Sequence, residues 1–162
     1  MNRQLPTPLT LQQVQAHVLA PALKGWPDSI EARVMLLAIG LQESRFAHRR
    51  QVRGPARGFW QFEKGGGVRG VMTHPASRAR AVQACQAAGI PATYDAAYAQ
   101  LEHDDILAAR FARLLLLTDP QPLPKLGDEQ GAWDYYIRNW RPGKPHRHTW
   151  GRLYAQALEV VK

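Results

Sequence analysis

The sequence predicts an all-α fold, a single helical domain spanning residues 1–162. Three observations lead there. Apolar residues recur at helical spacing in the long segments, helix-start signatures stand ahead of those segments, and glycine and proline gather between them. At this length one domain buries a substantial core without disulfides or metals.

Thr10-Leu11-Gln12-Gln13 is a capping box, and Leu11, Val14 and Val18 keep helical spacing until Pro21. Pro27-Asp28-Ser29-Ile30-Glu31 is a second start, with Asp28 as N-cap and Glu31 three residues later. The helix it opens carries Ile30, Val34, Leu37 and Leu41 in one stripe. Leu36 and Ile39 lead to Glu43 at i, i+3 and i+7, which lays the carboxylate along an apolar face. Residues 49–70 are rich in Gly and Arg and lack a helical period, so a loop or short hairpin is expected, with Gly65-Gly66-Gly67 as a mobile edge.

Pro75 to Ala88 reads as a helix stopped by Gly89 and Pro91. Asp95 to Leu117 is helical with a break near Asp104, and Leu107, Phe111, Leu114 and Leu115 face a core. Residues 118–127 hold three prolines and form a connection. Asp128 caps a helix to about Trp140, Arg141-Pro142-Gly143-Lys144-Pro145 ends it, and Thr149 starts a last helix to Val161. No repeat and no dividing linker is visible.

Charge narrows the partners. The chain has 21 Lys+Arg against 13 Asp+Glu, a net +8. Nine basic residues and one acid, Glu63, lie between Ser44 and Arg80; five basic residues, two histidines and no acid lie between Arg138 and Arg152. Such blocks suit one cationic face against an anionic envelope polymer or nucleic acid, or an ordinary solvated surface. No helix-turn-helix pattern or zinc spacing supports a specific nucleic-acid reader. Cys85 stands alone, so no internal disulfide forms, and it reads as a small apolar residue on a helix. His146-Arg147-His148 lacks zinc spacing, His103-Asp104-Asp105 reads as an N-cap at Asp104, and Gly65-Gly66-Gly67 lacks the Lys-Ser/Thr of a phosphate loop. Neither a metal nor a cofactor is expected. Residues 1–8 lack the apolar core of a secretory signal, and no run reaches the ~20 apolar residues of a membrane span.

The chemistry concentrates in two segments. Ala38-Ile39-Gly40-Leu41-Gln42-Glu43-Ser44-Arg45-Phe46 puts a carboxylate at the end of an apolar run. Gly54-Pro55-Ala56-Arg57-Gly58-Phe59-Trp60-Gln61-Phe62 follows as a glycine turn and an aromatic-amide strip. A desolvated carboxyl keeps its proton near neutral pH, as a general acid requires. The other reading of Glu43 is a helix-end residue paired with Arg45 or Arg49. Ser44 and His48 lack a third orienting group for a nucleophile-base arrangement.

These segments resemble the active-site core of the lysozyme-like lytic transglycosylases and goose-type lysozymes. There a helix ending in Glu-Ser is followed by a Gly-Ala-x-Gly-Leu-Met-Gln turn. The resemblance is strong over residues 38–62 and weak over 104–140. It implies a lysozyme-like helical domain that cleaves the β-1,4 bond between N-acetylmuramic acid and N-acetylglucosamine in bacterial peptidoglycan.

By the same resemblance Glu43 is the acid, and Gly58, Phe59, Trp60 and Gln61 line the sugar cleft. Pro55, and Phe59-Trp60 in place of Leu-Met, depart from the pattern; Trp60 is open to sugar stacking or to core packing. Ser44 hydrogen-bonds near the sugar or at the helix end. Glu63 occupies a place where goose-type lysozymes often carry an acid, and either holds a water for hydrolysis or pairs with Lys64 or a loop arginine.

The family's Tyr-Asn-Ala-Gly-like segment is met loosely by Tyr135-Tyr136-Ile137-Arg138-Asn139-Trp140. Tyr136 is the first choice to support Glu43 and Tyr135 the second, with core packing open for both; Arg141 and Lys144 are candidates for peptide-stem carboxylates. With no acid between Glu43 and Glu63, a transglycosylase yielding 1,6-anhydromuramyl ends is placed slightly ahead of a hydrolase. A catalytically inactive wall-binding or virion-structural protein of the same fold is the alternative. The expected setting is a phage-type monomer, made in the host cytoplasm and acting on the periplasmic wall, or carried in a virion.

Overall fold

In the computed structural model, which describes residues 4–162, the chain is helical with no named strand among those residues. Of residues 1–8 read above, Met1, Asn2 and Arg3 lie outside the described residues. Helices α1 (Leu11–Val14) and α2 (Ala20–Leu23) are joined by a π turn, Gln15–Leu19. They are followed by α3 (Ile30–Ser44), α4 (Arg69–Thr73), α5 (Arg78–Ala87), α6 (Tyr94–Gln100), α7 (Asp105–Leu117), α8 (Glu129–Trp140) and α9 (Arg147–Val161). No helix among the described residues is long and apolar enough to cross a membrane.

The capping box at Thr10 forms in full, its hydroxyl accepting from the Gln13 amide while the Gln13 side chain accepts from the Thr10 amide. The helix does not stop at Pro21. The Ala20 amide bonds back to the Gln15 carbonyl, five residues earlier, and this wider turn accommodates the proline ring. Asp28 is not the cap of α3 either. Ser29 is, accepting from the Ala32 amide at 3.0 Å, because Asp28 is held by the Arg33 guanidinium at 2.9 Å.

Helix α3 runs through the core. Every residue from Val34 to Leu41 is buried, so the expected stripe is a helix buried all round; Ile30, expected on that stripe, is 52% exposed. Each fully buried Leu or Ile adds about 1.5–3 kcal/mol of apolar transfer free energy. The end of α3 is tied to the start of α9: the Gln42 amide donates to the His146 carbonyl at 3.1 Å, and the Thr149 hydroxyl donates to Gln42 at 3.1 Å. Thr149 therefore sits inside the first turn of α9, which begins two residues earlier than expected.

After α3 the chain reverses sharply, with Arg45 and Phe46 at φ 58° and 52°. Phe46 folds back over Gly40, where a Cβ would stand 2.1 Å from the Phe46 ring. Only glycine admits that ring, which meets Phe59 and Trp60 edge-on at 5.4 and 5.5 Å.

Residues 49–63 form a loop pinched by two isolated antiparallel bridges, Arg50 with Arg57 and Arg57 with Phe62, rather than a hairpin. Arg49 locks the loop to α7 through a bidentate pair with Asp105 at 2.8 and 2.9 Å. The three consecutive glycines are not a free edge. They lie in a π turn, Lys64–Val68, that runs directly into α4. Helix α5 starts at Arg78 rather than Pro75, because the Ser77 hydroxyl bonds the Val71 carbonyl and His74 accepts from the Ala76 amide. Asp104 caps α7 as expected, accepting from the Leu107 amide at 3.0 Å, and Asp128 caps α8.

Candidate active site

Glu43 is the penultimate residue of α3, and α8 supplies what meets it. Tyr136 points into the core, its ring stacked on Trp150 at 5.3 Å with the planes 4° apart. Trp133 packs on the same ring at 5.5 Å. Held in this way, the Tyr136 hydroxyl donates a hydrogen bond to Glu43 Oε2.

Burial pushes the Glu43 carboxyl up to about 7, against the opposing pull of the Tyr136 hydrogen bond. Burial, then the Glu43 charge and that same bond, push the Tyr136 phenol up as well, so it stays a donor at any physiological pH. Near neutrality the carboxyl is poised between its two states. The ion-pair reading of Glu43 fails: among the described residues it has no salt bridge, and Arg49 is committed to Asp105. Oε1 makes no hydrogen bond to a described residue, so only one of the two oxygens is held.

The turn beneath α3 is set by backbone. Gly58 adopts φ +76°, and a Cβ there would lie 3.1 Å from the Leu101 carbonyl. Gln61, also left-handed at φ 54°, closes the turn by donating from both its backbone and side-chain amides to the Gly58 carbonyl, at 3.0 and 2.8 Å.

Phe59 and Trp60 do not offer rings to a cleft. Both are buried, and the Trp60 indole donates to the Leu36 carbonyl at 2.8 Å, so of the two readings for Trp60 the core one holds. Tyr135 is likewise committed inward: its hydroxyl donates to the Leu116 carbonyl at 2.9 Å, and burial, followed by the Asp119 charge, pushes it up to about 12. Ser44 is buried too, its hydroxyl bonding the Gly40 carbonyl and the Phe46 amide at the helix end rather than facing a ligand.

Beside this assembly lies a cavity of about 650 Å³. Gln61, Glu63 and Arg141 line it; Lys144 does not. Glu43 is not on its walls. The link is Trp140, which lines the cavity, has its ring 6.2 Å from that of Tyr136, and donates from its indole to the Trp60 carbonyl at 3.0 Å. Several of the pairings open for Glu63 are taken elsewhere: Lys64 bonds Asp95, Arg49 bonds Asp105, and Arg50 and Arg57 face Glu102. Among the described residues Glu63 has no ion pair. No group of three or more His, Cys, Asp or Glu among them is placed to hold a metal.

Sequence reasoning missed Trp140, Trp150 and Asp119. Trp140 was within reach, since it follows Tyr136 by four residues on one helix. Asp119 carried no local signal. Burial opposes its charge, yet Arg138 at 2.7 Å, the Gln121 amide and Asn139 at 2.8 Å together hold its carboxyl below its ordinary value. That bond set fastens the proline-rich connection to α8 and so helps fix the helix that carries Tyr136. No family model, curated protein or solved structure matches the chain.

Proposed function

We propose that this protein is a peptidoglycan-cleaving glycosidase acting on the β-1,4 bond between N-acetylmuramic acid and N-acetylglucosamine. The observation that carries the reading is the Glu43 carboxyl, desolvated at the end of α3, raised to about 7 and hydrogen-bonded on one oxygen only, by Tyr136. A protonated Glu43 donates to the glycosidic oxygen as the bond to C1 of the muramyl residue breaks. The resulting carboxylate then accepts the proton of the 6-hydroxyl of the same sugar as O6 closes on C1. The product is a 1,6-anhydromuramyl end, and Glu43 is again protonated. Tyr136 orients the carboxyl and eases its ionised state through the cycle.

Among the described residues no second carboxylate bonds Glu43 or Tyr136, and this intramolecular route needs only one acid-base group. Hydrolysis is the second reading, favoured by Glu63, an acid on the wall of the neighbouring cavity without an ion pair. The net charge of +8 suits an anionic wall.

Mass spectrometry of material released from purified peptidoglycan, by wild type and by Glu43→Gln, tests the assignment. Anhydromuramyl ends from wild type alone are expected. Reducing ends would make it a hydrolase and Glu63 the next residue to change. Binding to the wall without release of soluble fragments would replace the proposal by a binding protein of the same fold.

A further inference from the structure

Tyr136 reaches Glu43 from α8, yet the helix packed along α3 is α9. Helix α8 is fastened to α9 instead. The Trp150 indole donates to the Glu129 carbonyl at 3.1 Å, Arg147 pairs with the Glu129 carboxylate at 2.8 Å, and Trp150 stacks on Tyr136 at 5.3 Å. The place at which the Tyr136 hydroxyl meets Glu43 is therefore set by how α9 sits along α3.

One side chain of α3 fixes that register through polar bonds. Gln42, the chain neighbour of Glu43, donates its amide to the His146 carbonyl and accepts the Thr149 hydroxyl on Oε1, both at 3.1 Å. Among the described residues no other side-chain hydrogen bond or ion pair joins α3 to α9 or to its N-cap residue. The start of α9 has no capping side chain of its own. Beyond the end of α3, Arg45 and Arg152 of α9 set like charges against each other, so the neutral amide of Gln42 is the polar tie at this junction. Gln42, Glu43, Tyr136, Trp150 and Thr149 form a closed ring, joined in turn by a peptide bond, a hydrogen bond, a ring stack, a peptide bond and a hydrogen bond.

Resting on the function proposed above, we infer that Gln42 is a positioning residue for the acid: by holding α9 in register on α3 it delivers the Tyr136 hydroxyl to Glu43. Gln42 does not bond the carboxyl itself and acts through Tyr136. The device works because a hydrogen bond between two oxygens fades once they part by about 1 Å, so the acid depends on what supports its partner.

The test follows the Glu43 carboxyl by carbon-13 NMR titration, its resonance identified by its loss in Glu43→Gln, and needs no turnover. The Tyr136 bond lowers the proton affinity of this carboxyl, so releasing the bond raises the titration midpoint. Gln42→Met keeps the length of the side chain and removes both bonds to α9. It is expected to raise the midpoint towards that of Tyr136→Phe, and Gln42→Met/Tyr136→Phe should rise no further than Tyr136→Phe alone. Thr149→Val removes one bond from the other end and should move the midpoint the same way, while Thr149→Ser should restore it; these two carry the test should Gln42→Met fail to fold.

Unmoved midpoints, or a further rise in the double variant, would overturn the inference and leave the proposed function standing. Lost stability without movement of the midpoint would likewise reduce Gln42 to a packing residue. On peptidoglycan the alkaline limb of kcat/KM should follow the midpoint, with kcat lowered more than KM is raised. Midpoints that move as expected in a protein that releases nothing from peptidoglycan would uphold the link from Gln42 to Glu43 and remove the proposed function instead.

Discussion

Replacing Glu43 by glutamine should make the protein more stable, and only at neutral and alkaline pH. The side chain keeps its shape, and its oxygen still accepts from Tyr136. What disappears is a charge that the site disfavours. Burial moves the carboxyl from an ordinary 4.5 to about 7, which at about 1.4 kcal/mol per pH unit is a penalty of about 3 kcal/mol on the ionised folded state.

Because the folded value lies above the unfolded one, the folded state binds the proton more tightly. The contribution of this carboxyl is therefore fully favourable below about pH 4.5, is lost as pH rises towards 7, and is the whole penalty above. The glutamine variant does not titrate there. The two proteins should unfold at similar urea concentrations at pH 4.5 and differ by about 3 kcal/mol at pH 8.5, followed by tryptophan fluorescence with the slope unchanged. A difference that stays constant across this range would refute the claim that desolvation governs this carboxyl. It would also remove the physical basis for Glu43 as an acid near neutrality.

Two further predictions follow from the same contacts. Tyr136→Phe keeps the stack on Trp150 but removes the bond that lowers the Glu43 value, so the alkaline limb of kcat/KM should move to higher pH while the rate falls; an unmoved limb would mean that Tyr136 acts on packing alone. Gly40→Ala drives a methyl into the Phe46 ring and should cost about 1–3 kcal/mol in urea unfolding, despite the ~1 kcal/mol that alanine gains over glycine in a helix interior.

Much of this protein was written in short-range sequence. The capping box at Thr10, the caps at Asp104 and Asp128 and the glycine stop after α5 are local contests for backbone hydrogen bonds, and the structure keeps them. The spacing of Leu36, Ile39 and Glu43 along one helix laid the carboxylate on an apolar face, and left a desolvated acid and an ion pair with Arg45 or Arg49 both open. Where the reading failed, a competing contact within a few residues along the chain had intervened. Arg33 drew Asp28 away from the cap of α3, the π turn carried the helix past Pro21, and the glycine run was taken up into a helical turn.

The site divides along the same line. Glu43 was singled out by its place along one apolar helix face together with the resemblance over residues 38–62. Which tyrosine meets it, and whether Trp60 faces a cleft or the core, depends on how α3, α8 and α9 pack. Tyr135 and Tyr136 are adjacent in sequence, and the rotation of α8 sends one hydroxyl to the Leu116 carbonyl and the other to Glu43. Residue spacing does not separate the two, because both are buried tyrosines; the resemblance placed Tyr136 first, and in the packed structure it is Tyr136 that stacks on Trp150 and turns toward Glu43.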